Sequence, residues 1–397
     1  MATFETSLKS RLIYVFAISD EWHKDCLKVG ETTLEEDDGN FPLPNSEVLN
    51  KAACDRIDQY TKTAGIAYTL LHTEMTVFFK GGTISSFNDK QVHSVLERSG
   101  VKKKTFDTVK GANEWFCCDL ETIKKAIHAV KNGQNSLNAS EISHTQTPII
   151  FRPEQQAAID KTKKQFKKGS QMLWNAKMRF GKTLCALRVA RDLDMRRTII
   201  LTHRPVVDEG WFEDFGKIFY DRTDYHYGSR TKGEDFDSLE RLAKKGGKYV
   251  YFASMQDMRG AQLVGGKFDK NNEVFSTEWD FLIVDEAHEG TRTELGEAVI
   301  KELTKVNTKV LKLSGTPFNL LDDYTEEETY TWDYTMEQRA KTEWDLLHMG
   351  DPNPYASLPA INIYTYDLGA LMNDYSEDEK AFNFREFFRT CLLYTSP

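Results

Sequence analysis

Five apolar runs of strand length lie beyond residue 149, and stretches with a helical pattern separate them. The runs are MLWNA, TIILT, YVYFA, FLIVD and VLKLS. As a group they lack the inside-outside alternation of a half-exposed strand, which is typical of strands buried on both faces of a parallel sheet. Parallel neighbours need long crossovers, usually helices. The sequence therefore predicts a doubly wound parallel α/β lobe over residues 149–320.

A different pattern over residues 1–132 predicts a second, small mixed α/β domain. The segments RLIYVFAI (11–18) and CLKV (26–29) are short apolar strands around a polar loop, as in a hairpin. Residues 133–148 are polar and rich in Asn, Ser and Thr, which predicts a linker. We expect residues 321–397 to form an acidic connector and the truncated start of a further lobe.

The distribution of charge leaves nucleic acid open as a partner. The chain has 52 Lys and Arg against 61 Asp and Glu, a net charge of −9. Between residues 321 and 380 there are fifteen acidic and three basic residues, so residues 1–320 are slightly positive. The acidity belongs to one segment, and a polyanionic partner is not excluded for the rest of the chain.

No apolar stretch approaches the roughly 20 residues of a membrane helix. The first residues, MATFETSLKSR, also lack the apolar core of a signal peptide. We therefore expect a cytoplasmic protein without a membrane segment. Its six cysteines include no Cys-x-x-Cys pair, so reduced and mostly buried thiols are the expected state.

The run MLWNA leads directly into AKMRFGKT (176–183) and then into a helix with apolar residues on one face. A strand, a loop ending in GKT and a helix form a cradle for a phosphate chain. Such a chain needs backbone amides at a helix N-terminus, one cation and a hydroxyl for magnesium. Gly181, Lys182 and Thr183 would supply these groups.

Two acidic residues follow the run FLIV. Asp285 and Glu286 open the segment DEAH at the carboxyl end of a strand that we expect next to MLWNA. Open α/β sheets bind their ligands at this edge. One carboxylate can hold magnesium while the other activates the attacking water, as phosphoryl transfer to water requires.

Three segments in order, AKMRFGKT, DEAH (285–288) and LSGTP (313–317), resemble motifs I, II and III of superfamily 2 helicases and translocases. Upstream, RPEQ (152–155) resembles the adenine-recognising Q element, and THRPVV (202–207) resembles motif Ia, which contacts the nucleic-acid backbone. The resemblance covers about residues 149–320 and implies the first RecA-like lobe of an ATP-dependent motor. The form MRFGKT is most reminiscent of the ATPase subunits of restriction systems.

Carried over position by position, this resemblance implies ATP and Mg²⁺ as cofactors and gives each residue a role. The nucleotide-binding residues are Gln155 at the adenine, Gly181 and Lys182 at the phosphates, Thr183 and Asp285 at the magnesium ion, and His288. Glu286 is the general base of hydrolysis. Arg204 contacts the nucleic-acid backbone, while Ser314, Thr316 and His288 couple hydrolysis to movement along the strand.

Arg179 departs from this pattern, because many members of the superfamily have glycine at its position. Arg179 must either adopt the backbone path of that glycine with a side chain attached, or point outward from the loop.

The N-terminal domain carries a second resemblance. Tyr14 in IYVF, Gly30 in KVG, Arg56 in a predicted helix and Asp89 in NDKQVHSVL resemble the core of GIY-YIG nucleases. The resemblance implies metal-assisted phosphodiester hydrolysis, with Tyr14 near the attacking water, Arg56 on the phosphate and Asp89 holding one divalent ion.

This chain departs from the GIY-YIG pattern at two positions. Lys28 stands where the second strand usually has tyrosine, and Asp89 stands where the metal ligand is usually glutamate. Glu97 is the obvious substitute ligand, because positions eight apart share a helix face. His93 and Glu114, in VHSVL and NEWF, fit divergent members of the family. A working nuclease and a non-cleaving DNA-binding module on the same scaffold both stay open.

A helicase site is closed by arginines from a second RecA-like lobe, and nothing after Pro317 resembles the Q-x-x-G-R-x-x-R element that supplies them. We therefore expect a truncated chain, with that lobe as its missing partner. The residues CLLYTS before Pro397 equal a translation of the transposon-end adapter TGT CTC TTA TAC ACA TCT, which favours an artificial end.

Together these features predict an ATP-dependent helicase or translocase fused to an endonuclease, from a restriction or defence enzyme with further restriction-modification subunits. DNA is preferred to RNA only by analogy. One alternative is a repair or replication helicase whose N-terminal domain binds DNA without cutting it. The other is a nucleotide-binding adaptor without hydrolysis, because a lone lobe lacks the arginine fingers.

Overall fold

The computed structural model describes residues 10–34, 41–80, 82–106, 114–138, 141–142, 149–203, 205–287, 294–316, 320–348, 351–358, 376–378 and 381–382. The chain divides into two compact units, Met1–Ala340 and Lys341–Pro397, and the first unit contains both predicted α/β domains. Among the described helices, none combines the length and apolar character that a membrane crossing requires.

A four-stranded antiparallel sheet, in the order β3-β1-β2-β6, forms the centre of the N-terminal domain. Its strands are β1 (Arg11–Ile18), β2 (Leu27–Thr33), β3 (Tyr68–Met75) and β6 (Trp115–Phe116), while β4 (Val77–Lys80) and β5 (Thr83–Ser86) form a separate hairpin. The helices are α1 (Glu47–Thr61), α2 (Asp89–Arg98) and α3 (Leu120–Asn132). The antiparallel pairing of β1 with β2 confirms the predicted hairpin.

Alternation along β1 decides which side chains face which helices. Ile13 and Val15 are fully buried in a cluster with residues of α2 and α3. Tyr14 belongs to a different cluster, which contains the buried residues of α1. Because successive residues of a strand point to opposite faces, Tyr14 lies on the side of the sheet that is covered by α1, the helix that carries Arg56.

Seven parallel strands, in the order β13-β7-β12-β11-β8-β10-β9, form the sheet of the second domain. The strands are β7 (Gln171–Ala176), β8 (Arg197–Thr202), β9 (Tyr225–Gly228), β10 (Lys248–Ser254), β11 (Phe281–Asp285), β12 (Lys309–Ser314) and β13 (Thr329–Trp332). Five of them coincide with the predicted apolar runs, which confirms a parallel α/β lobe.

Two features of this sheet differ from the prediction. The strand β12 lies between β7 and β11, so the strands that carry the cradle and the acidic pair are not neighbours as expected. The sheet also continues past residue 320, because β13 pairs with β7. The sequence predicts a connector here, because TYTW is short, lies inside an acidic segment and lacks the long apolar run of the central strands.

The helices of this lobe and of the following segment are α4 (Pro153–Gln165), α5 (Lys182–Asp192), α6 (Asp208–Phe219), α7 (Phe236–Lys244), α8 (Met255–Arg259), α9 (Asn272–Ser276), α10 (Glu294–Leu303) and α11 (Tyr334–Leu347). The cradle helix α5 packs against α4 on one side and α6 on the other. The second unit also contains a two-stranded ladder of β14 (Ser376–Asp378) and β15 (Ala381–Phe382).

The predicted linker begins with residues that pack onto the parallel lobe. The backbone N–H groups of Asn135 and Ser136 donate to the buried carboxylate of Glu234, at 3.1 and 3.0 Å. Leu137, the next residue, is buried in the core of the N-terminal domain. The first residues after α3 therefore join the two domains.

Arg98, the last residue of α2, adds a second connection between the domains. Its guanidinium donates to the carbonyl oxygens of Gly233 at 2.6 Å and Ser229 at 3.2 Å, in the loop after β9. Gly233 has a φ of +62°, and a Cβ atom there would lie 2.1 Å from the carbonyl oxygen of Tyr227. Only glycine can hold this loop in the shape that Arg98 binds.

Candidate functional site

The predicted phosphate cradle is a tight loop between β7 and α5. Gly181 is the N-cap of α5 and has a φ of +91°, and a Cβ atom there would lie 2.7 Å from the Gln155 side-chain nitrogen. Arg179 has a φ of +64° and an exposed side chain. The arginine therefore adopts the left-handed backbone conformation that favours glycine, with its side chain in solvent.

Gln155 stabilises the cradle through hydrogen bonds of its side-chain amide. Its Nε2 donates to the carbonyl oxygen of Phe180 at 2.7 Å, and its Oε1 accepts the N–H of Arg152 at 2.9 Å. Arg152 donates to the same Phe180 oxygen at 3.0 Å. The buried amide of Gln155 thus positions the loop that precedes Lys182, and its contact with adenine stays a prediction.

Lys182 is the first residue of α5, and its ammonium faces the two acids. The Nζ atom donates to the carbonyl oxygen of Ala176 at 2.8 Å. Burial lowers the pKa of Lys182, while the charges of Glu286 and Asp285 act in the opposite direction. The loops after β7 and β11 therefore bring the cation and the acidic pair together, although β12 separates their strands.

Asp285 ends β11 in a partly buried position. Burial raises the pKa of its carboxyl group, as does the neighbouring Glu286, whereas Lys182 lowers it. Its oxygens accept the backbone N–H of Glu286 at 3.0 Å and the indole N–H of Trp211 at 3.3 Å. Trp211 could not be recognised from the sequence, because this contact joins α6 to the strand end across 74 residues of sequence.

The segment after β12 borders the same edge of the sheet. Ser314 is buried, and its Oγ accepts the N–H of Thr316, which is exposed, at 3.2 Å. The N–H of Ala287 donates to the carbonyl oxygen of Leu313 at 2.9 Å, so the acidic segment and LSGTP are bonded to each other. Arg204 and His288 lie outside the described residues.

The chemistry of these groups fits a magnesium-bound triphosphate. The edge presents a desolvated ammonium, an α-helix N-terminus with the Thr183 hydroxyl at its second position, and a carboxylate whose pKa is raised by burial and by the neighbouring Glu286. Within the described residues, no three His, Cys, Asp or Glu side chains are grouped to hold a metal ion. A site with one or two protein oxygens suits Mg²⁺, which keeps waters and takes phosphate ligands.

A buried ion pair anchors the start of the cradle to α11. Lys177 donates from Nζ to the carboxylate of Glu337 at 2.5 Å, and from its backbone N–H to Trp332 in β13 at 3.0 Å. The Lys177 ammonium also lies 5.2 Å from the centre of the Tyr334 ring. Glu337 is fully buried. The segment that follows LSGTP is therefore connected to the phosphate loop.

A second polar cluster lies in the N-terminal domain, around Tyr14. Burial raises the pKa of the Tyr14 hydroxyl, whereas the neighbouring Tyr60 and Arg56 side chains lower it. A Cβ atom at Gly30 would lie 2.7 Å from this hydroxyl, so glycine leaves the room that the tyrosine occupies. Tyr60 was missed, although its spacing of four from Arg56 on one helix could have indicated a shared face.

Lys28 and Glu114 complete this cluster. Their side chains form an ion pair at 3.3 Å, and the Lys28 ammonium lies 4.5 Å from the centre of the Tyr60 ring. The charge of Glu114 raises the pKa of Tyr14 and of Tyr60. We define the tyrosine cluster as Tyr14, Tyr60, Arg56, Lys28 and Glu114.

The other acidic and imidazole candidates of this domain make contacts of their own. Glu97 forms an ion pair with Lys103, and the His93 ring nitrogen Nε2 lies 2.9 Å from the Val29 carbonyl oxygen. Asp89 begins α2, where its backbone N–H donates to Glu31 at 3.3 Å. The role of Asp89 as a metal ligand stays a prediction.

Residues 148–319 match the family model described as Type III restriction enzyme, res subunit. Over these residues the chain is therefore similar to the res subunit of Type III restriction enzymes. Over 265 residues, the chain is also 26% identical to a curated Mycoplasma pneumoniae protein named putative type II restriction enzyme and methyltransferase RM.MpnORF110P C-terminus. The alignment covers 55% of this chain and 36% of that relative, so the chain spans about a third of the relative's length.

Parts of three solved structures are similar to this chain. The SWI2/SNF2 ATPase core of Sulfolobus solfataricus in complex with dsDNA has a TM-score of 0.34 and 17% identity, over 47% of this chain and 37% of that one. The UvsW helicase from bacteriophage T4 has a TM-score of 0.33 and 12% identity, over 54% of this chain and 77% of that one. A nuclease-deletion mutant of the Type ISP restriction-modification enzyme LlaGI has a TM-score of 0.32 and 18% identity, over 51% and 23%.

Proposed function

We propose that this protein is the ATP-binding part of a restriction-type DNA translocase or helicase, fused to a GIY-YIG-like nuclease domain. The observation that carries the proposal is the meeting of Lys182 with Asp285 and Glu286 at the carboxyl edge of the parallel sheet. A cation, a helix N-terminus and a pair of acids are the groups that triphosphate hydrolysis needs. The family match and the name of the curated relative support a restriction setting.

Each residue of the cradle has a task in this proposal. Lys182 leaves the Ala176 carbonyl and donates to the β and γ phosphates, which returns its pKa toward that of an ordinary lysine. Thr183 and Asp285 would hold Mg²⁺, which would neutralise negative charge on the phosphates when bound. Glu286 accepts the proton of the attacking water.

Other residues would recognise the adenine base and couple ATP hydrolysis to movement along DNA. Gln155 contacts adenine with an amide that already fixes the Phe180 carbonyl. Arg204, Ser314, Thr316 and His288 contact the nucleic-acid strand or transmit hydrolysis to it. Because an arginine finger contributes about a thousandfold or more to related NTPases, strong hydrolysis also requires the second RecA-like lobe.

The tyrosine cluster supports the nuclease half of the proposal. Tyr14, beside Arg56 and Tyr60, would orient the attacking water, and Arg56 would bind the phosphate. Asp89 or Glu114 would hold the single divalent ion, which polarises the phosphodiester when bound. Glu114 is paired with Lys28 beside the Tyr60 ring, and this position in the tyrosine cluster favours Glu114 over Asp89.

The motor half is tested by nucleotide binding to the chain. Lys182→Ala should weaken the ATP Kd by about 10- to 100-fold, since a charged hydrogen bond contributes about 1.5–3 kcal/mol. Lys164→Ala is the control, because Lys164 is an exposed lysine on the neighbouring helix α4. Calorimetric titration with MgATP measures both, and an unchanged Kd for Lys182→Ala would refute the site.

Hydrolysis separates the motor from the nucleotide-binding adaptor. Glu286→Gln should keep ATP binding and lower the DNA-stimulated release of phosphate by about 100-fold or more, as expected for loss of a general base. An adaptor binds ATP with the same dependence on Lys182 and releases no phosphate, with or without DNA, even after the second lobe is added.

A further inference from the structure

Two cysteines that are 91 residues apart in the chain meet at the edge between β2 and β6. The Sγ atoms of Cys26 and Cys117 are 2.9 Å apart. Both are free thiols, and Cys26 is buried whereas Cys117 is exposed. We call these two residues the thiol pair.

The register of the strands explains why the thiols meet. Leu27 pairs with Phe116 in the antiparallel ladder of β2 and β6, so one further step places Cys26 opposite Cys117. The pairing therefore sets the distance between the thiols through the backbone, and not only through the orientation of two side chains.

The hydrogen bonds of this ladder show which kind of pair the cysteines form. The N–H of Val29 donates to the carbonyl oxygen of Glu114 at 3.1 Å, and the N–H groups of both cysteines donate to carbonyl oxygens outside this ladder. Because hydrogen-bonded and non-hydrogen-bonded pairs alternate, Cys26 and Cys117 form a non-hydrogen-bonded pair, with Cα atoms about 4.5 Å apart. That separation is within the range of about 4.4–6.8 Å that a disulfide spans.

The surroundings favour oxidation over metal binding. In the described part of the chain, no three His, Cys, Asp or Glu side chains are grouped to hold a metal ion. An open cavity is lined by Cys26, Cys117 and Cys118 and gives small molecules access to them. Burial and the neighbouring thiol raise the pKa of Cys26 to about 12, so the exposed Cys117 is the thiol that reacts first.

We propose that the thiol pair is an oxidative modification site that forms an intramolecular disulfide, with hydrogen peroxide as the oxidant. The Cys117 thiolate attacks one peroxide oxygen, the O–O bond breaks, and the released hydroxide takes up the thiol proton as water, which leaves a sulfenic acid. The Cys26 sulfur then attacks the sulfenic sulfur, the S–O bond breaks, and the second hydroxide leaves with the Cys26 proton as water. Two thiols and one peroxide thus give one disulfide and two waters.

The position of the disulfide links it to the tyrosine cluster. Lys28 is two residues after Cys26, and Glu114 is three residues before Cys117. The cross-link would fix the two segments that carry this ion pair. Only this consequence rests on the proposed nuclease, because disulfide formation is measured without any assay of cleavage.

The test is peptide mapping of the full chain after treatment with peroxide. Free thiols are alkylated, the protein is digested without reductant, and the peptides are identified by mass. We expect a linked peptide pair that contains Cys26 and Cys117, lighter by two hydrogen atoms than the separate peptides and absent after dithiothreitol. Cys26→Ser and Cys117→Ser should each abolish it.

Cys118→Ser is the matched control, since it removes the neighbouring thiol and should leave the cross-link unchanged. The proposal fails if the Cys26 peptide stays fully alkylated while Cys117 is oxidised to sulfinic acid. It also fails if the cross-link persists in Cys117→Ser, because Cys26 would then be joined to Cys118.

Discussion

The two candidate sites of this chain are assembled in opposite ways. In the parallel lobe, the main groups come from two short continuous segments, with Lys182 in one and Asp285 and Glu286 in the other. In the N-terminal domain, Tyr14 comes from β1, and its partners come from β2, α1 and the residue before β6. A site made of two continuous segments can be recognised in a sequence, whereas one assembled from four elements requires the fold.

The sites also differ in how their charges are balanced without a ligand. Lys182 and Asp285 both carry pKa values displaced by burial, so each charge is desolvated more than its partners compensate. Lys28 and Glu114 form a direct ion pair, with Glu114 partly in solvent. The cradle therefore gains most from a ligand that brings opposite charge, and the tyrosine cluster is already formed in its absence.

Removing the Tyr14 hydroxyl should give the largest effect. If the tyrosine cluster cuts DNA, Tyr14→Phe should reduce magnesium-dependent plasmid cleavage by about 100-fold or more. This is the usual contribution of a general acid or base. Tyr68→Phe is the matched control, because Tyr68 donates its hydroxyl to Asp58 at 2.8 Å, outside the cluster. Gel analysis of nicked and linear plasmid measures both variants.

Equal cleavage by Tyr14→Phe and the wild type would remove the cluster from the chemistry. No cleavage by the wild type, together with retained DNA binding, would favour the repair or replication helicase with a non-cleaving N-terminal domain.

Most of the fold of the parallel lobe could be predicted, because strands that are buried on both faces have long apolar runs. The edge strands β9 and β13 could not, since YHYG and TYTW are short and mixed in polarity. The position of β12 between β7 and β11 could not be predicted either. Strand order depends on the direction of each crossover, which the sequences of the strands do not indicate.

The predictability of the site residues follows the same division. The positions of Lys182 and Asp285 follow from their motifs, whereas Trp211, Glu337 and Tyr60 contact the sites from helices that have no recognisable motif. The meeting of Cys26 with Cys117 depends on the pairing of two strands far apart in the chain, which spacing alone does not reveal.

The ion pairs Lys177–Glu337 and Lys28–Glu114 can be compared by the free energy of unfolding that each one contributes. The side chain of Glu337 is 1% exposed, whereas that of Glu114 is 42% exposed. Glu337→Ala leaves Lys177 without its buried partner, and we expect the free energy of unfolding to fall by about 3–5 kcal/mol. Glu114→Ala breaks a more exposed pair and should cost less than about 1 kcal/mol. Urea unfolding of the full chain measures both.

Glu337→Gln separates charge from shape, because the amide oxygen can still accept from the Lys177 ammonium. Its cost should lie between those of the two alanine variants. Similar costs for Glu337→Ala and Glu114→Ala would mean that burial does not distinguish the two pairs.

The smallest effect concerns Asp285 and depends on pH. Burial raises its pKa above the ordinary value of 3.8, so the protonated form is favoured in the folded lobe. This contribution to stability is present at low pH and is lost as the pH rises through the folded pKa. The side chain of Asp285→Asn cannot ionise, so the Tm of this variant should exceed that of the wild type at neutral pH. Loss of the hydrogen bond from Trp211 to the replaced oxygen offsets part of this gain.

The difference in Tm between Asp285→Asn and the wild type should shrink as the pH falls below the folded-state pKa of Asp285, because the wild-type carboxyl is then protonated as well. Addition of MgATP should reverse the order at neutral pH, since a bound cation stabilises the carboxylate and not the amide. A difference that stays constant with pH would assign the effect to packing around residue 285. In that case, the desolvated charge of Asp285 would not explain why a bound ligand stabilises the cradle.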